Sequence, residues 1–383
     1  MNLSDLEAYD YALPEELIRR EGIEPRDSAR LFVYDTKTDT ITHDFFSNLA
    51  KYLPERSLLV LNDTHVVPAR LHLKKASGGK IEVFVLMNEW DGESNEIPVM
   101  VDRKCGVGWK LFFPNGYFFE VVRQEENRFY AILKPSNSLP ESLRESLRAG
   151  GSTPVKSLEE LLDEFGETPL PPYLKGEEWS RDEEVLRKRY QTIFAESGKS
   201  VAAPTAALHF TDRVFASLRE KNIDTATVTL DVGLGTFAPL KEENFALKKL
   251  HREYVSIPQS TVDKVNFILG GRTSKLDSEP KIVVVGTTAL RTIESATALR
   301  GSTSKCRLRL YEGETDIFIT APHHFEIPDI LITNFHIPKS SLMLLVDAFL
   351  QDKGAKRNLV ALYEEAIKEK YAFYSFGDSM LIL

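Results

Sequence analysis

Only two of the 383 residues are cysteine, Cys105 and Cys306. Two thiols cannot build a disulfide framework, and neither sits in a metal-ligand spacing. Both read as ordinary buried or half-buried thiols of a reducing compartment. No apolar run approaches the roughly 20 residues that a membrane-spanning helix needs, so no membrane partner is expected. The opening MNLSDLEAYDYALPEELI is acidic and amphipathic and lacks the basic and apolar regions of a signal peptide. A cytoplasmic location follows as an expectation. Positive charge is also short, with 48 Lys and Arg against 57 Asp and Glu, a net −9. That excludes a generic charge-driven nucleic-acid binder, though not an enzyme with a local basic surface. The candidate basic runs are His72-Leu73-Lys74-Lys75, Arg187-Lys188-Arg189 and Lys248-Lys249. Each reads most simply as a solvated face. HExxH, HxxxH, GxGxxG and the phosphate-binding P-loop are all missing, and no internal repeat or low-complexity tract occurs.

What is present divides into regimes. Residues 1–65 hold a predicted helix, Leu13–Arg20, and strands at Leu31–Tyr34 and Leu58–Leu61. Between 66 and 150 the pattern shifts to short β-rich runs, Lys80–Met87, Trp109–Phe113, Tyr117–Val122 and Arg128–Leu133. Gly78-Gly79, Asp91-Gly92, Pro114-Asn115-Gly116 and Glu126-Asn127 punctuate them. Such spacing predicts a small antiparallel sheet or barrel. The stretch 135–185 is polar, with two helical pieces. Beyond it helix and strand alternate to the C-terminus, which predicts a largely parallel, helix-covered sheet. The expected architecture is an α/β domain made of residues 1–65 and 151–383, with a small antiparallel β-barrel domain inserted at 66–150.

Five polar turns follow predicted strands, where α/β proteins hold ligands. In LNDTHVVPARL, Asn62 and Asp63 offer polar groups and Arg70 a bidentate fork, although an Asx turn and a surface arginine fit equally well. In VAAPTAALHFTD, Thr211 reads as a helix N-cap, which leaves His209 exposed as a ligand candidate. In TLDVGLGTFAPL, Gly233 and Gly235 permit close backbone approach, and Asp231 sits late in a strand. In VVVGTTALRTIES, Gly286, Thr287 and Thr288 open a helix whose N–H groups suit an anion, or simply cap it. Arg291 and Glu294 fit an intrahelical pair. In LITNFHIPKSSLMLLV, Asn334 and His336 frame a helix mouth. Lys339 there is unfavourable against the helix dipole, so a bound anion explains it better.

Taken in order, these turns resemble the S-adenosylmethionine:tRNA ribosyltransferase-isomerase family of queuosine biosynthesis. DYALPEELI, ASGGKIEV, PLPPYL, RYQTIFA, LHREY, TDIFIT and YAFYSFGDSMLI extend the match over nearly the whole chain. The resemblance implies an α/β domain with an inserted β-barrel. It also implies transfer and isomerisation of the ribosyl group of S-adenosylmethionine, a co-substrate, onto 7-aminomethyl-7-deazaguanine at the wobble position of tRNA. The products are epoxyqueuosine in tRNA, adenine and methionine, and no metal is expected. Where the family usually has His-Val-Gly this chain has Asp231-Val232-Gly233, and Ala207 replaces a usual glycine.

The implied chemistry assigns expected roles. His336 and His209 are the proton carriers, since imidazole titrates near neutrality. Glu253 and Asp378 would orient the aminomethyl group, with Asp231 a further base or acceptor. Phe237, Phe335 and Tyr374 would line the sulfonium. The methionine carboxylate or tRNA phosphates would sit at Thr287-Thr288 or Lys339-Ser340. Asn62, Asp63, Arg70, Gly233, Gly235, Thr236, Gly286, Arg291 and Asn334 complete the expected S-adenosylmethionine and substrate contacts. Two other classes stay open, a non-catalytic relative that binds tRNA or a nucleoside and a metal-dependent hydrolase. Turnover and metal content separate them.

Overall fold

A computed structural model describes residues 1–135, 156–171, 173, 182–233, 235, 239–271, 279–297 and 307–383. The chain forms two compact units. One comprises Met1–His65, Arg189–Gly198 and Ala203–Leu383; the other comprises Val66–Lys188 and Lys199–Ala202.

The strands of the first unit are β1 (Arg30–Asp35), β2 (Thr40–Phe45), β3 (Leu58–Asn62), β12 (Asp224–Leu230), β13 (Lys249–Ile257), β14 (Ile282–Val285), β15 (Tyr311–Ile317), β16 (Ile330–Asn334) and β17 (Ser379–Ile382). They join in one sheet, ordered β15-β13-β12-β3-β14-β16-β17-β1-β2. β3 and β14 are wholly buried and read LLVLN and IVVV, the continuous apolar runs of strands covered on both faces. Alternate residues serve opposite layers. Leu58, Val60, Ile282 and Val284 join one core, and Leu59, Leu61, Val283 and Val285 the other.

The helices of this unit are α1 (Leu49–Tyr52), α4 (Asp212–Glu220), α5 (Glu242–Leu247), α6 (Gln259–Gly271), α7 (Gly286–Ser295), α8 (Ser341–Asp352) and α9 (Leu359–Lys368). The apolar faces of α6, α7, α8 and α9 fill the first core, while α1 and α4 cover the second. Thr211 caps α4, its hydroxyl accepting from Val214 N at 3.3 Å.

The sheet corrects the largely parallel expectation, because it is mixed. β12, β3, β14 and β16 run parallel in succession, as do β17 and β1. The other ladders, β12·β13, β13·β15, β16·β17 and β1·β2, are antiparallel. An apolar run marks a strand but carries no direction, so the C-terminal SMLI gave no sign that it would enter between β16 and β1. The predicted helix Leu13–Arg20 is also absent. Pro14 precedes a three-residue 3-10 turn, Glu15–Leu17, and Leu13 and Leu17 pack on the core from irregular chain.

In the second unit β5 (Arg70–Lys75), β6 (Lys80–Val85), β7 (Ile97–Val101), β8 (Lys110–Phe112), β9 (Tyr117–Glu125) and β10 (Arg128–Pro135) pair antiparallel. Each strand has two neighbours, so the ladder returns to its start. This unit extends past residue 150, where the sequence expectation ends it. Helix α2 (Leu158–Phe165) buries Leu158, Leu161 and Leu162 in its core, and α3 (Glu183–Arg189) follows. Between the strands already named, β4 (Thr64–Val66) and β11 (Ser197–Ser200) make a two-stranded ladder of their own.

Candidate active site

Because β12, β3, β14 and β16 run the same way, their carboxyl ends share one edge of the sheet. β17 is antiparallel to β16, so its first residues reach that edge too. The predicted turns of the first unit gather there.

At β3 and β12 the polar groups satisfy one another. Asn62 donates its amide to Leu230 O at 3.0 Å, and its Oδ1 accepts from Leu230 N at 3.0 Å and Thr64 N at 3.2 Å. It is the Asx turn rather than an open donor. Asp63 Oδ1 accepts from the Thr229 hydroxyl at 2.7 Å, and burial pushes its carboxyl up. Asp231, 5% exposed, accepts from the Thr64 hydroxyl at 2.6 Å. Gly198, at φ +80°, lies against this pair so closely that a Cβ would overlap Asp231 Oδ1 and Thr64 Oγ1.

Between β13 and α7 stands a buried ion pair. Glu253 and Arg291 are 3% and 4% exposed, and Arg291 Nη1 donates to Glu253 Oε2. Glu253 Oε1 accepts from Gly233 N at 3.1 Å. The intrahelical reading of Arg291 is therefore replaced: Glu294 instead meets His323 Nε2 at 2.8 Å. Gly235 packs on the His251 ring, where a side chain would collide. Thr236 and Phe237 lie outside the described residues.

At β14 and β16, Gly286 starts α7 at φ +87° with Thr287 buried beside it. Among the described residues Thr288 Oγ1 and Asn334 Nδ2 are buried without a hydrogen-bond partner, while Asn334 Oδ1 accepts from the Thr205 hydroxyl at 2.9 Å. A Cβ on Gly286 would stand 3.6 Å from Thr288 Oγ1 and 3.7 Å from Ala206 Cβ. Thr205 was missed in the sequence, where nothing distinguishes it within VAAPTAALHF.

The two histidines differ. His209 packs on Phe46, has a hydrogen bond with the Arg26 backbone, and leaves Nε2 without a partner among the described residues. Burial lowers its pKa to about 4, against the opposing pull of Asp378. It borders a small cavity with Arg26, Arg189, Ser375 and Phe376. His336 turns inward. Its Nε2 is 2.9 Å from Thr333 Oγ1, its N donates to Tyr363 Oη at 3.0 Å, and its O accepts from Tyr11. Burial takes its pKa to about 3.

Several expected contacts are placed elsewhere. Lys339, at φ +57°, holds Glu7 at 2.9 Å and Asp10 at 2.8 Å, so acidic side chains of this chain already meet the ammonium that an anion was expected to fill. Ser340 caps α8 through Met343 N. Phe335 is wholly buried among Phe32, Tyr363, Tyr371 and Phe373, which removes it from any sulfonium wall. Tyr374 is half-buried at φ +71°. Asp378 accepts from Arg30 N, Ala372 N and Arg19 Nη1 at 3.0, 2.8 and 3.3 Å, so its oxygens are engaged in holding local chain. Arg70 belongs to the second unit, with Glu82 Oε1 3.8 Å from its Nε. Among the described residues no three His, Cys, Asp or Glu side chains stand together as a metal site.

A buried arginine fork, an unpartnered imidazole nitrogen and two orphaned polar atoms on one sheet edge suit a polar, partly charged small molecule. The sequence comparisons say which family builds this edge: the match to queuosine biosynthesis proteins runs from residue 6 to 382. The chain belongs to that family. It is 40% identical to the S-adenosylmethionine:tRNA ribosyltransferase-isomerase of Carboxydothermus hydrogenoformans, covering 99% of both chains. To the enzyme of that name from Aquifex aeolicus it is 38% identical, again over 99% of each. A crystal structure of S-adenosylmethionine tRNA ribosyltransferase from Thermotoga maritima is 28% identical, with a TM-score of 0.49 over 98% of this chain and 99% of that one. No described helix is long and apolar enough to cross a membrane.

Proposed function

We propose that this protein is a cytoplasmic S-adenosylmethionine:tRNA ribosyltransferase-isomerase. It moves the ribosyl group of S-adenosylmethionine onto 7-aminomethyl-7-deazaguanine in tRNA and releases adenine and methionine, leaving epoxyqueuosine. The observation that carries this reading is the end-to-end similarity to enzymes of that name. The polar sheet edge supports it by offering groups suited to each chemical demand.

The sulfonium acidifies the neighbouring C5′ hydrogens, so a neutral base must reach them. His209 is neutral at pH 7 because burial holds its pKa near 4, and its Nε2 has an open lone pair or proton position. A base this weak needs a strongly acidified carbon, which the sulfonium supplies. Glu253, fixed by Arg291 and Gly233 N, is the carboxylate that would face the acceptor's aminomethyl group. Asn334 Nδ2 and Thr288 Oγ1 can take the polar edge of the leaving adenine or the ribose hydroxyls. Asp231 accepts a hydrogen bond from Thr64, and acts by holding the turn that carries Gly233. Tyr374 remains the aromatic candidate for the sulfonium.

The test is turnover. The protein is incubated with S-adenosylmethionine and tRNA bearing the deazaguanine precursor, and adenine is followed by mass spectrometry. Adenine and methionine should appear together, and methyl label should leave with methionine. No adenine, or methylated tRNA as the main product, overturns the proposal.

A further inference from the structure

Arg291 is paired on one side only. Nη1 meets Glu253, while Nε and Nη2 are buried with no hydrogen-bond partner among the described residues. A buried N–H without an acceptor is unfavourable, more so on a charged group. Nε–H and the near Nη2–H of an arginine project side by side, as a fork that matches the two oxygens of one carboxylate. The open pair in Arg291 is that fork. Arg291 also borders a cavity of about 20 Å³ together with Gly235, Asn244, His251, Glu253 and Ser341. That volume is room for about one water, which excludes a phosphodiester carrying two sugars and leaves space for only one small polar group against Arg291. Gly235 is required there because any side chain would run into His251.

We propose that the Nε/Nη2 edge of Arg291 is a carboxylate subsite that takes the α-carboxylate of S-adenosylmethionine. This rests on the ribosyl-transfer reading for the identity of the ligand. Charge favours an amino-acid end over a bare anion. Glu253 already neutralises Arg291 once, so a second isolated anion would be repelled. A zwitterion carries no net charge, so its ammonium offsets the carboxylate that it brings beside the Glu253–Arg291 pair. Glu253 is then the positioning residue that fixes Nη1 and leaves the Nε/Nη2 edge to the ligand.

Equilibrium dialysis of S-adenosylmethionine and its decarboxylated analogue decides the matter. The wild-type protein should prefer the carboxylated ligand by about 10-fold or more. In Arg291→Gln that preference should collapse toward one, with the analogue's affinity nearly unchanged. Arg291→Lys should retain part of it, because charge remains but the fork does not. The double variant Arg291→Gln/Glu253→Gln leaves no unpaired buried charge, and it should show the same collapse if the single variant folds poorly. Equal binding of both ligands to wild type, or equal weakening of both in the variants, overturns the subsite. So does a loss of tRNA affinity with ligand preference intact, which would make the group a phosphate contact. Adenine release by the wild type is read separately: turnover with no dependence of carboxylate preference on residue 291 sinks this inference alone.

Discussion

At the scale of single residues, the two buried histidines make separable predictions. His209 keeps Nε2 open, whereas His336 has Nε2 at Thr333 and its backbone clamped by two tyrosines. His209→Gln should lower adenine release by about 10²-fold or more. His336→Gln should show mainly in the melting temperature, and a larger turnover loss at 336 than at 209 would reverse the assignment. Both imidazoles have folded pKa values below the ordinary 6.5, near 4 and 3. Between those values and 6.5 the unfolded chain binds protons that the folded chain refuses. Stability is therefore full above pH 6.5 and falls as pH drops through that window, by on the order of 3 kcal/mol at His209 and 5 kcal/mol at His336. His336→Gln should remove one proton from the slope of unfolding free energy against pH between 4 and 6.5. An unchanged slope would show that this ring is not held neutral by burial.

Single elements show how a turn becomes a site. Gly198 enters the β4–β11 ladder at φ +80°, pressed on the Asp231–Thr64 hydrogen bond. Gly198→Ala would add both positive-φ strain and a collision, and should destabilise by roughly 2–4 kcal/mol. Asp231→Ala/Gly198→Ala should recover part of that loss, because the collision partner is gone; a purely additive pair would refute the close-packing account. The polar turns themselves were legible because strand ends in an α/β sheet need polar chemistry, and parallel neighbours bring them to one edge. Thr211 as a cap was legible for the same local reason. The partners of Lys339 were not: Glu7 and Asp10 lie some 330 positions away in sequence, and a first-turn lysine looks the same whether an anion or a distant carboxylate answers it. Phe335 sits between two polar residues of a ligand-like motif, yet its ring fills the core. Strand alternation, which sets Phe335 on the face of Leu331 and Asn334 on the opposite one, was the available signal. Direction of strands was illegible outright, which is why β17 turned a parallel expectation into a mixed sheet.

At the scale of the whole molecule, a chain of net charge −9 must find a surface for a polyanion if the proposed substrate is right. Most basic runs are already neutralised. Arg187, Lys188 and Arg189 face Glu183, Glu184 and Glu21, and Lys249 faces Asp316. Lys75 lies over Trp109 and donates to Lys104 O. Lys74 and Lys80 differ. They are exposed, and they are direct cross-strand partners in the β5·β6 ladder, Lys74 opposite Lys80. Like charges facing across a ladder destabilise it, by a few tenths to about 1 kcal/mol. A pairing that costs stability in the free protein is relieved when an anion bridges it, so this hairpin is the better tRNA contact on the second unit. Lys74→Glu/Lys80→Glu should weaken tRNA binding and flatten the dependence of log K on log salt by one to two counterions. Lys74→Glu alone creates an opposite-charge pair, so it should raise the melting temperature slightly while still weakening tRNA. S-adenosylmethionine affinity should not change in either variant, because that ligand is assigned to the sheet edge of the first unit. Binding constants measured across a salt series decide it: an unchanged slope and affinity in the double variant would remove the hairpin from the tRNA surface.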